Sequence, residues 1–109
     1  MLVTLRPALA GHATFETYSV LTRLPLPLRL SASQAASVLA AAFPDDCWLD
    51  APATRDLWRR LSGLEILGGS IYDALVAQAA VVNNRGLLTR DSRAERTYRA
   101  LGVEYLLVQ

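Results

Sequence analysis

The chain has 109 residues, of which 52% are apolar and 19% charged, and its formal net charge is +1. A chain of this length and composition buries one hydrophobic core, so we expect a single domain over 1–109 and exclude a disordered protein. The near-neutral charge gives no sign of a strongly basic nucleic-acid binder, and the single cysteine, Cys47, excludes an intrachain disulfide and a cysteine-based zinc site.

Predicted helices and strands follow one another along the chain. Prolines end the first two helices, glycines break the chain around the later ones, and serines supply the predicted N-caps. In the first half of the chain we predict a β-like segment at 1–5, a helix at 12–23, an extended connector at 26–30 and a helix that is capped by Ser31 or Ser33 and runs up to 42. A strand at 45–50 and a helix at 52–61 follow. In the second half we predict a helix at 71–84 that begins after Ser70 and ends before Gly86, a strand at 87–89, a helix capped by Ser92 that runs up to 100, and a strand at 103–108.

This alternation of strands and helices indicates an α/β fold with a parallel sheet. The helix at 71–84 carries apolar side chains on nearly every face, so we expect it to be buried on several sides. No apolar stretch reaches the roughly 20 residues needed to cross a bilayer. Residues 1–10 include Arg6 and Pro7 and therefore lack the apolar core of a secretion signal. Together with the single cysteine, these features lead us to expect a cytoplasmic protein.

Asp73 is the most informative acidic residue because it lies in this apolar helix. A buried carboxylate without a partner is costly, so some compensating interaction is expected. One alternative is structural, since Ser70 and Asp73 have the spacing of a capping box and acids are favoured in the first turn of a helix. The residues alone leave both roles open.

Two other acids are weaker candidates. Asp91 follows the strand at 87–89, at the carboxyl end where α/β proteins bind ligands. It could cap the next helix, but Ser92 and Glu95 form a predicted capping box of their own, which leaves Asp91 available for another role. Glu16 lies among apolar residues of the first helix and, taken alone, is equally consistent with a solvated surface residue.

Two segments of the chain resemble VapC-type PIN-domain ribonuclease toxins. The run HATFETYSVLTRLP at 12–25 is similar to the H-x-x-x-E-T-x-S-V-L-T-R-L-P segment of that family. The central and C-terminal motifs are similar in order and spacing, and they comprise IYDALVA at 71–77, LLTRD at 87–91, Tyr98, Leu101, Gly102 and Val103. The resemblance covers nearly the whole chain from Gly11. It implies a PIN-like three-layer sandwich, in which helices flank a parallel sheet.

The resemblance also implies a function. Glu16, Asp73 and Asp91 would be the catalytic residues and would bind Mg²⁺ or Mn²⁺, hard cations that prefer carboxylate oxygens. The bound ion would generate hydroxide and neutralise charge during phosphodiester hydrolysis. The protein would then be an endoribonuclease toxin of a type II toxin–antitoxin system, with an RNA substrate and a VapB-type antitoxin as partners.

One acidic position of the family pattern has no counterpart in this sequence. Such domains usually begin with a strand that ends in aspartate, whereas no acid precedes Glu16 here and Thr4 stands where that aspartate is expected. We therefore expect an incomplete PIN domain that lacks its first strand at the N-terminus. Losing a carboxylate should weaken metal binding and activity, and an unpaired sheet edge should favour a homodimer or another homo-oligomer.

Arginines recur every three residues beside Asp91, at Arg90, Arg93, Arg96 and Arg99. We expect Arg90, Arg93 and Arg96 to bind RNA phosphates. The alternative is a solvated helix face, on which Glu95 pairs with Arg99.

A hypothesis of another class is a catalytically inactive PIN remnant that binds an antitoxin or dimerises. The helical segments 32–43 and 55–61, with Trp48, Leu57 and Trp58, could form an apolar groove for such a partner. Side chains of this type more often belong to the core. A saturable metal site would distinguish the enzyme from the remnant.

Overall fold

The computed structural model describes residues 8–108. The predicted β-like segment at 1–5 lies outside this range. The elements in chain order are β1 (Ala8–Ala10), α1 (Gly11–Thr22), α2 (Ala32–Ala42), β2 (Asp45–Cys47), α3 (Ala51–Arg60), α4 (Ser70–Val82), β3 (Leu87–Thr89), a 3₁₀ turn (Ser92–Ala94), α5 (Glu95–Leu101) and β4 (Tyr105–Leu107).

The described strands are all parallel. β1 pairs with β2, with Ala10 opposite Cys47, and β3 pairs with β4, with Leu88 opposite Leu106. Within residues 8–108 these pairs are two separate two-stranded sheets. The predicted α/β class with parallel strands is therefore confirmed.

Local chain signals account for most of the element boundaries. Ser31, rather than Ser33, caps α2, and it forms a capping box in which its hydroxyl accepts a hydrogen bond from the Gln34 backbone. Asp50 caps α3 by accepting a hydrogen bond from the backbone of Ala53 at 2.9 Å. The strand predicted at 45–50 is shorter in the structure and ends at Cys47, three residues before this cap.

The end of α4 differs from the prediction. The helix ends at Val82, and the left-handed residue that follows is Asn84, with φ of 56°, rather than Gly86. A Cβ at Gly86 would lie 3.4 Å from the Glu104 carbonyl oxygen, which is an ordinary van der Waals distance. The chain segments that lead into β3 and β4 therefore lie in contact at this point.

The core lies around α4, as its apolar sequence predicted. Ala74, Ala77 and Ala80 of this helix are buried and pack with residues of the other elements, among them Leu57 and Tyr98. Leu57 is 2% exposed and belongs to the core, which is the second of the two alternatives left open for it, so it does not line a surface groove. Trp58, the next residue, is 74% exposed. Of the helices between residues 8 and 108, none has the length and apolar character to cross a membrane.

Candidate active site

Asp73 lies in the first turn of α4, with its side chain only partly exposed. The predicted capping box is absent: Gly69 occupies the N-cap, Ser70 lies inside the helix, and no side chain caps this end. The glycines at 68 and 69 let the chain enter the helix without a capping side chain. Among residues 8–108, the Asp73 carboxylate has no hydrogen-bond or ion-pair partner, so its sequence position is not explained by capping.

The surroundings of Asp73 disfavour its ionised form. Burial raises the pKa of Asp73, and the negative charges of Asp91 and then Glu16 raise it further, while the Arg93 guanidinium opposes the shift. Electrostatic interactions of this kind require proximity. Asp91 and Glu16 therefore lie near enough to Asp73 to influence the ionisation of its carboxylate.

Packing of α1 against α4 brings Glu16 towards Asp73. The His12 ring stacks on Tyr72, with ring centroids 5.0 Å apart and planes inclined by 19°. His12 Nε2 also lies 3.3 Å from Glu16 Oε1, one helical turn further along α1. Glu16 is exposed, as expected if it is a solvated surface residue. Its carboxylate nevertheless contacts His12, whose ring stacks on Tyr72 of α4.

Asp91 lies just beyond the carboxyl end of β3, as predicted. Its Oδ1 atom accepts a hydrogen bond from the Arg93 backbone at 2.9 Å and lies 3.4 Å from Arg93 Nε. The expectation that Ser92 would relieve Asp91 of capping is wrong, because Ser92 lies inside the 3₁₀ turn and Asp91 is the N-cap. All these contacts fall on one carboxylate oxygen, so capping leaves Oδ2 for another ligand.

Tyr98 is a further member of the site. From the sequence it was named only as part of the C-terminal family motif. It is 6% exposed, and burial raises the pKa of its hydroxyl. The charges of Asp73 and Asp91 also raise this pKa, whereas a hydrogen bond with Thr89 lowers it. A buried tyrosine hydroxyl needs a polar partner, so the available signal was a tyrosine three residues before Leu101 on the buried side of α5.

The donors at this site suit a hard divalent cation by their chemistry. Three carboxylates offer only oxygen ligands, and Mg²⁺ is usually bound through one or two carboxylates with water completing its coordination. Within residues 8–108, no three histidine, cysteine, aspartate or glutamate side chains lie close enough together to hold a metal ion between them. A cation at this site would therefore have one or two of these carboxylates as direct ligands, with water completing its coordination.

The arginines beside Asp91 differ in their partners. Arg99 donates to Glu95 Oε2 at 2.6 Å and to the Tyr105 hydroxyl at 3.1 Å, as expected for a solvated face. The Arg93 side chain is 92% exposed, and Asp91 is its ion-pair partner among residues 8–108. Arg90 and Arg96 are exposed and form no ion pair with any residue from 8 to 108.

Sequence relatives supply independent information. Ribonuclease VapC27 of Mycobacterium tuberculosis is 49% identical over 100 residues, which are 92% of this chain and 73% of that protein. Ribonuclease VapC40 of the same species is 45% identical over 101 residues, which are 92% of this chain and 75% of that protein. Comparisons with protein-family models and with solved structures found no match. At this identity and coverage, and with the resemblance of its motifs, the chain belongs to the VapC family of ribonuclease toxins.

Proposed function

We propose that this protein is a Mg²⁺- or Mn²⁺-dependent endoribonuclease toxin of a type II toxin–antitoxin system, with Glu16, Asp73 and Asp91 as its catalytic carboxylates. The observation that carries this proposal is the position of Asp73 in the first turn of α4, where its partly buried carboxylate lies near Asp91 and Glu16, whose charges help to raise its pKa. A carboxylate whose pKa is perturbed by burial and by charged neighbours is typical of a functional site. Membership of the ribonuclease family supports the reaction class.

Asp73 and Asp91 would hold the cation, and Glu16 would hold it directly or through water. A bound divalent ion would supply hydroxide at neutral pH and would neutralise charge on the phosphoryl oxygens. Asp73 contributes a carboxylate that has no hydrogen-bond or ion-pair partner within residues 8–108, and Asp91 contributes the oxygen that does not contact Arg93. His12 orients Glu16 from one helical turn away.

Other side chains would position the RNA and the acids. Arg90, Arg93 and Arg96 would bind backbone phosphates, because their guanidinium groups are exposed beside Asp91. Tyr98 would remain protonated, since burial and two nearby carboxylates raise its pKa. A protonated hydroxyl can donate a hydrogen bond that holds a carboxylate in place.

We also propose that the two strand pairs are flanks of one PIN-like sheet in a three-layer sandwich, with the family's first strand expected between them. A sheet of only two strands is marginally stable, which supports a shared sheet. Residues 8–108 do not supply that additional strand. The aspartate that the family pattern places at the end of that strand is none of the three acids Glu16, Asp73 and Asp91.

Divalent-dependent cleavage of a structured RNA tests the catalytic assignment. We expect Asp73→Asn to lower the cleavage rate about 100-fold or more, because several kcal/mol of transition-state stabilisation depend on the bound cation. Asp56→Asn is the matched control. Asp56 is an exposed acid on α3 that lies 3.9 Å from Arg60 and is distant in sequence from Glu16, Asp73 and Asp91. Equal cleavage by the wild type and Asp73→Asn would contradict the assignment.

A binding function without catalysis is the second candidate, and the exposed apolar side chains favour it. Phe15, Trp48 and Trp58 are 65%, 46% and 74% exposed and could contact a VapB-type antitoxin in the cytoplasm. Calorimetric titration with Mn²⁺ separates the candidates. A saturable site lost in Asp73→Asn supports the nuclease, and the absence of any saturable site supports the inactive binding module.

A further inference from the structure

A cavity of about 180 Å³ lies between the segment that follows α3 and the outer side of α5. Its polar lining includes Glu65, Ser70, Arg93 and Arg96, and its apolar lining includes Leu64 and Ile66. The cavity adjoins the candidate active site through two of these residues. Ser70 precedes Asp73 by one helical turn, and Arg93 lies 3.4 Å from Asp91.

Glu65 has a backbone conformation that usually requires glycine. Its φ is 54°, in the left-handed region. The Ile66 N–H donates to the Leu61 carbonyl at 3.0 Å and the Glu65 N–H donates to the Ser62 carbonyl at 3.2 Å, which together form a Schellman motif. The residue at this place in the motif is usually glycine, which has no Cβ to strain. The chain therefore carries a carboxylate where local backbone energy would favour glycine.

Two of the three charged groups around the cavity have no ion-pair partner among residues 8–108, and the third, Arg93, lies beside Asp91 with its side chain 92% exposed. Glu65 forms no hydrogen bond or ion pair through its side chain with the described residues, although two arginines line the same cavity. Arg96 also has no ion-pair partner between residues 8 and 108, whereas Arg99 on the same helix is paired with Glu95. The cavity thus combines two cationic groups, one acceptor-only carboxylate and an apolar surface.

We propose that this cavity binds one guanine nucleotide of the RNA substrate, adjacent to the cleaved bond. Glu65 accepts hydrogen bonds from guanine N1–H and N2–H, and Arg93 and Arg96 contact the phosphate of that nucleotide. The proposal rests on the proposed ribonuclease function. It assigns Glu65 as a residue that determines base specificity.

Hydrogen-bond complementarity selects guanine. An ionised carboxylate has two acceptor oxygens and no donor, and it therefore matches two adjacent donors. Only guanine presents two adjacent donors on its Watson–Crick edge, since the other bases place an acceptor beside each donor there. Proteins read unpaired RNA bases through this edge, and Leu64 and Ile66 provide an apolar surface for the base.

Titration of the ¹⁵N-labelled full chain with guanosine 5′-monophosphate, in EDTA, tests the site by NMR. We expect chemical-shift changes at 64–70 and 93–97. Inosine 5′-monophosphate lacks the 2-amino group and should bind roughly fivefold or more weakly, and Glu65→Gln should weaken guanosine monophosphate binding roughly tenfold or more, since a hydrogen bond to a charged group is lost. Arg93→Ala combined with Arg96→Ala should lower the affinity for guanosine and inosine monophosphates by the same factor.

Two further variants separate binding from folding and from general charge. Glu65→Gly should lose guanosine monophosphate binding without lowering the urea midpoint of unfolding, because glycine favours this φ. Arg55→Ala removes an exposed arginine of α3 and should leave binding unchanged. Each of three outcomes would overturn the proposal. They are chemical-shift changes confined to residues outside the cavity, equal affinity for guanosine, inosine and cytidine monophosphates, and an affinity of Glu65→Gln for guanosine monophosphate that equals that of the wild type.

The nucleotide titration in EDTA does not depend on catalysis. If guanosine monophosphate fails to bind while the wild type cleaves RNA with a divalent ion, the cavity proposal is wrong and the ribonuclease proposal stands. If guanosine monophosphate binds as expected while no cleavage occurs, the ribonuclease proposal is wrong and the cavity remains a guanine-nucleotide site.

Discussion

Asp73 shows how one residue joins the stability of the fold to the candidate chemistry. Its carboxyl has a pKa above the ordinary value of 3.8 because burial and two acids oppose ionisation. The folded protein therefore holds this proton more tightly than the unfolded chain does. Stability contributed by Asp73 is present at low pH and is lost as pH rises from the ordinary pKa through the raised one.

Replacing Asp73 by asparagine should therefore stabilise the metal-free protein at neutral pH. We expect a gain of about 0.5 kcal/mol or more in the free energy of unfolding, as is common when a strained functional group is removed. Urea unfolding in EDTA at pH 4 and pH 7 measures it, and the gain should be larger at pH 7. Adding Mg²⁺ should stabilise the wild type more than the variant. A loss of stability in Asp73→Asn at pH 7 would contradict this account.

At the scale of the element, α5 and the turn before it present arginines of different availability. The four-arginine repeat predicted one continuous stripe, but the Arg99 guanidinium is already engaged by Glu95 and Tyr105. Arg93 and Arg96 remain open to a phosphate and also line the cavity beside Glu65. The arginines therefore divide into one end, Arg99, whose guanidinium has two partners, and another end, Arg93 and Arg96, which is exposed beside the cavity.

Salt dependence of RNA binding distinguishes the two ends. Removing both Arg93 and Arg96 as alanine substitutions should reduce the slope of log affinity against log salt by about 1.4, since each single-strand phosphate contact contributes about 0.7. Arg99→Ala is the matched control on the same helix and should change the slope less. Equal reductions from Arg99→Ala and from the double variant would contradict the division. Fluorescence anisotropy over a salt series supplies the measurement.

At the scale of the whole molecule, one apolar sheet face is left uncovered by residues 8–108. Leu88 and Leu106 are register partners in β3 and β4 and are 68% and 63% exposed. Parallel sheets usually have both faces buried. An exposed apolar face of this kind favours association with another protein surface.

We predict that a second copy of the chain covers this face. Leu88→Glu combined with Leu106→Glu should convert a dimer to a monomer without changing the circular dichroism spectrum, because the two side chains are exposed within one chain. Val20→Glu, on an exposed position of α1, is the control and should preserve the dimer. Sedimentation velocity gives the mass. A monomeric wild type, or a double variant that remains dimeric, would contradict the prediction.

From the first helix onward, the sequence alone determined the order of the helices and strands, together with the α/β class, the parallel strands and the family, because these depend on periodicity, capping spacing and local motifs. It also selected Glu16, Asp73 and Asp91 as candidates. It did not indicate β1, a strand of three residues at Ala8–Ala10. It could not decide between capping and another role for Asp73 and Asp91, since each role has the same local spacing. The structure decided differently for the two, with Gly69 as the N-cap before Asp73 and Asp91 itself as the N-cap of its turn.

Only the tertiary structure revealed the part played by Tyr98 and Glu65. Tyr98 is coupled to Asp73 and Asp91 through packing of α5 against α4, and Glu65 faces α5 across a cavity closed by residues distant in the chain. Burial, electrostatic coupling and cavity shape arise from contacts between separate elements. Sequence spacing reports contacts within one or two helical turns, and for this reason it fixed where the acids lie along the chain but not which groups surround them.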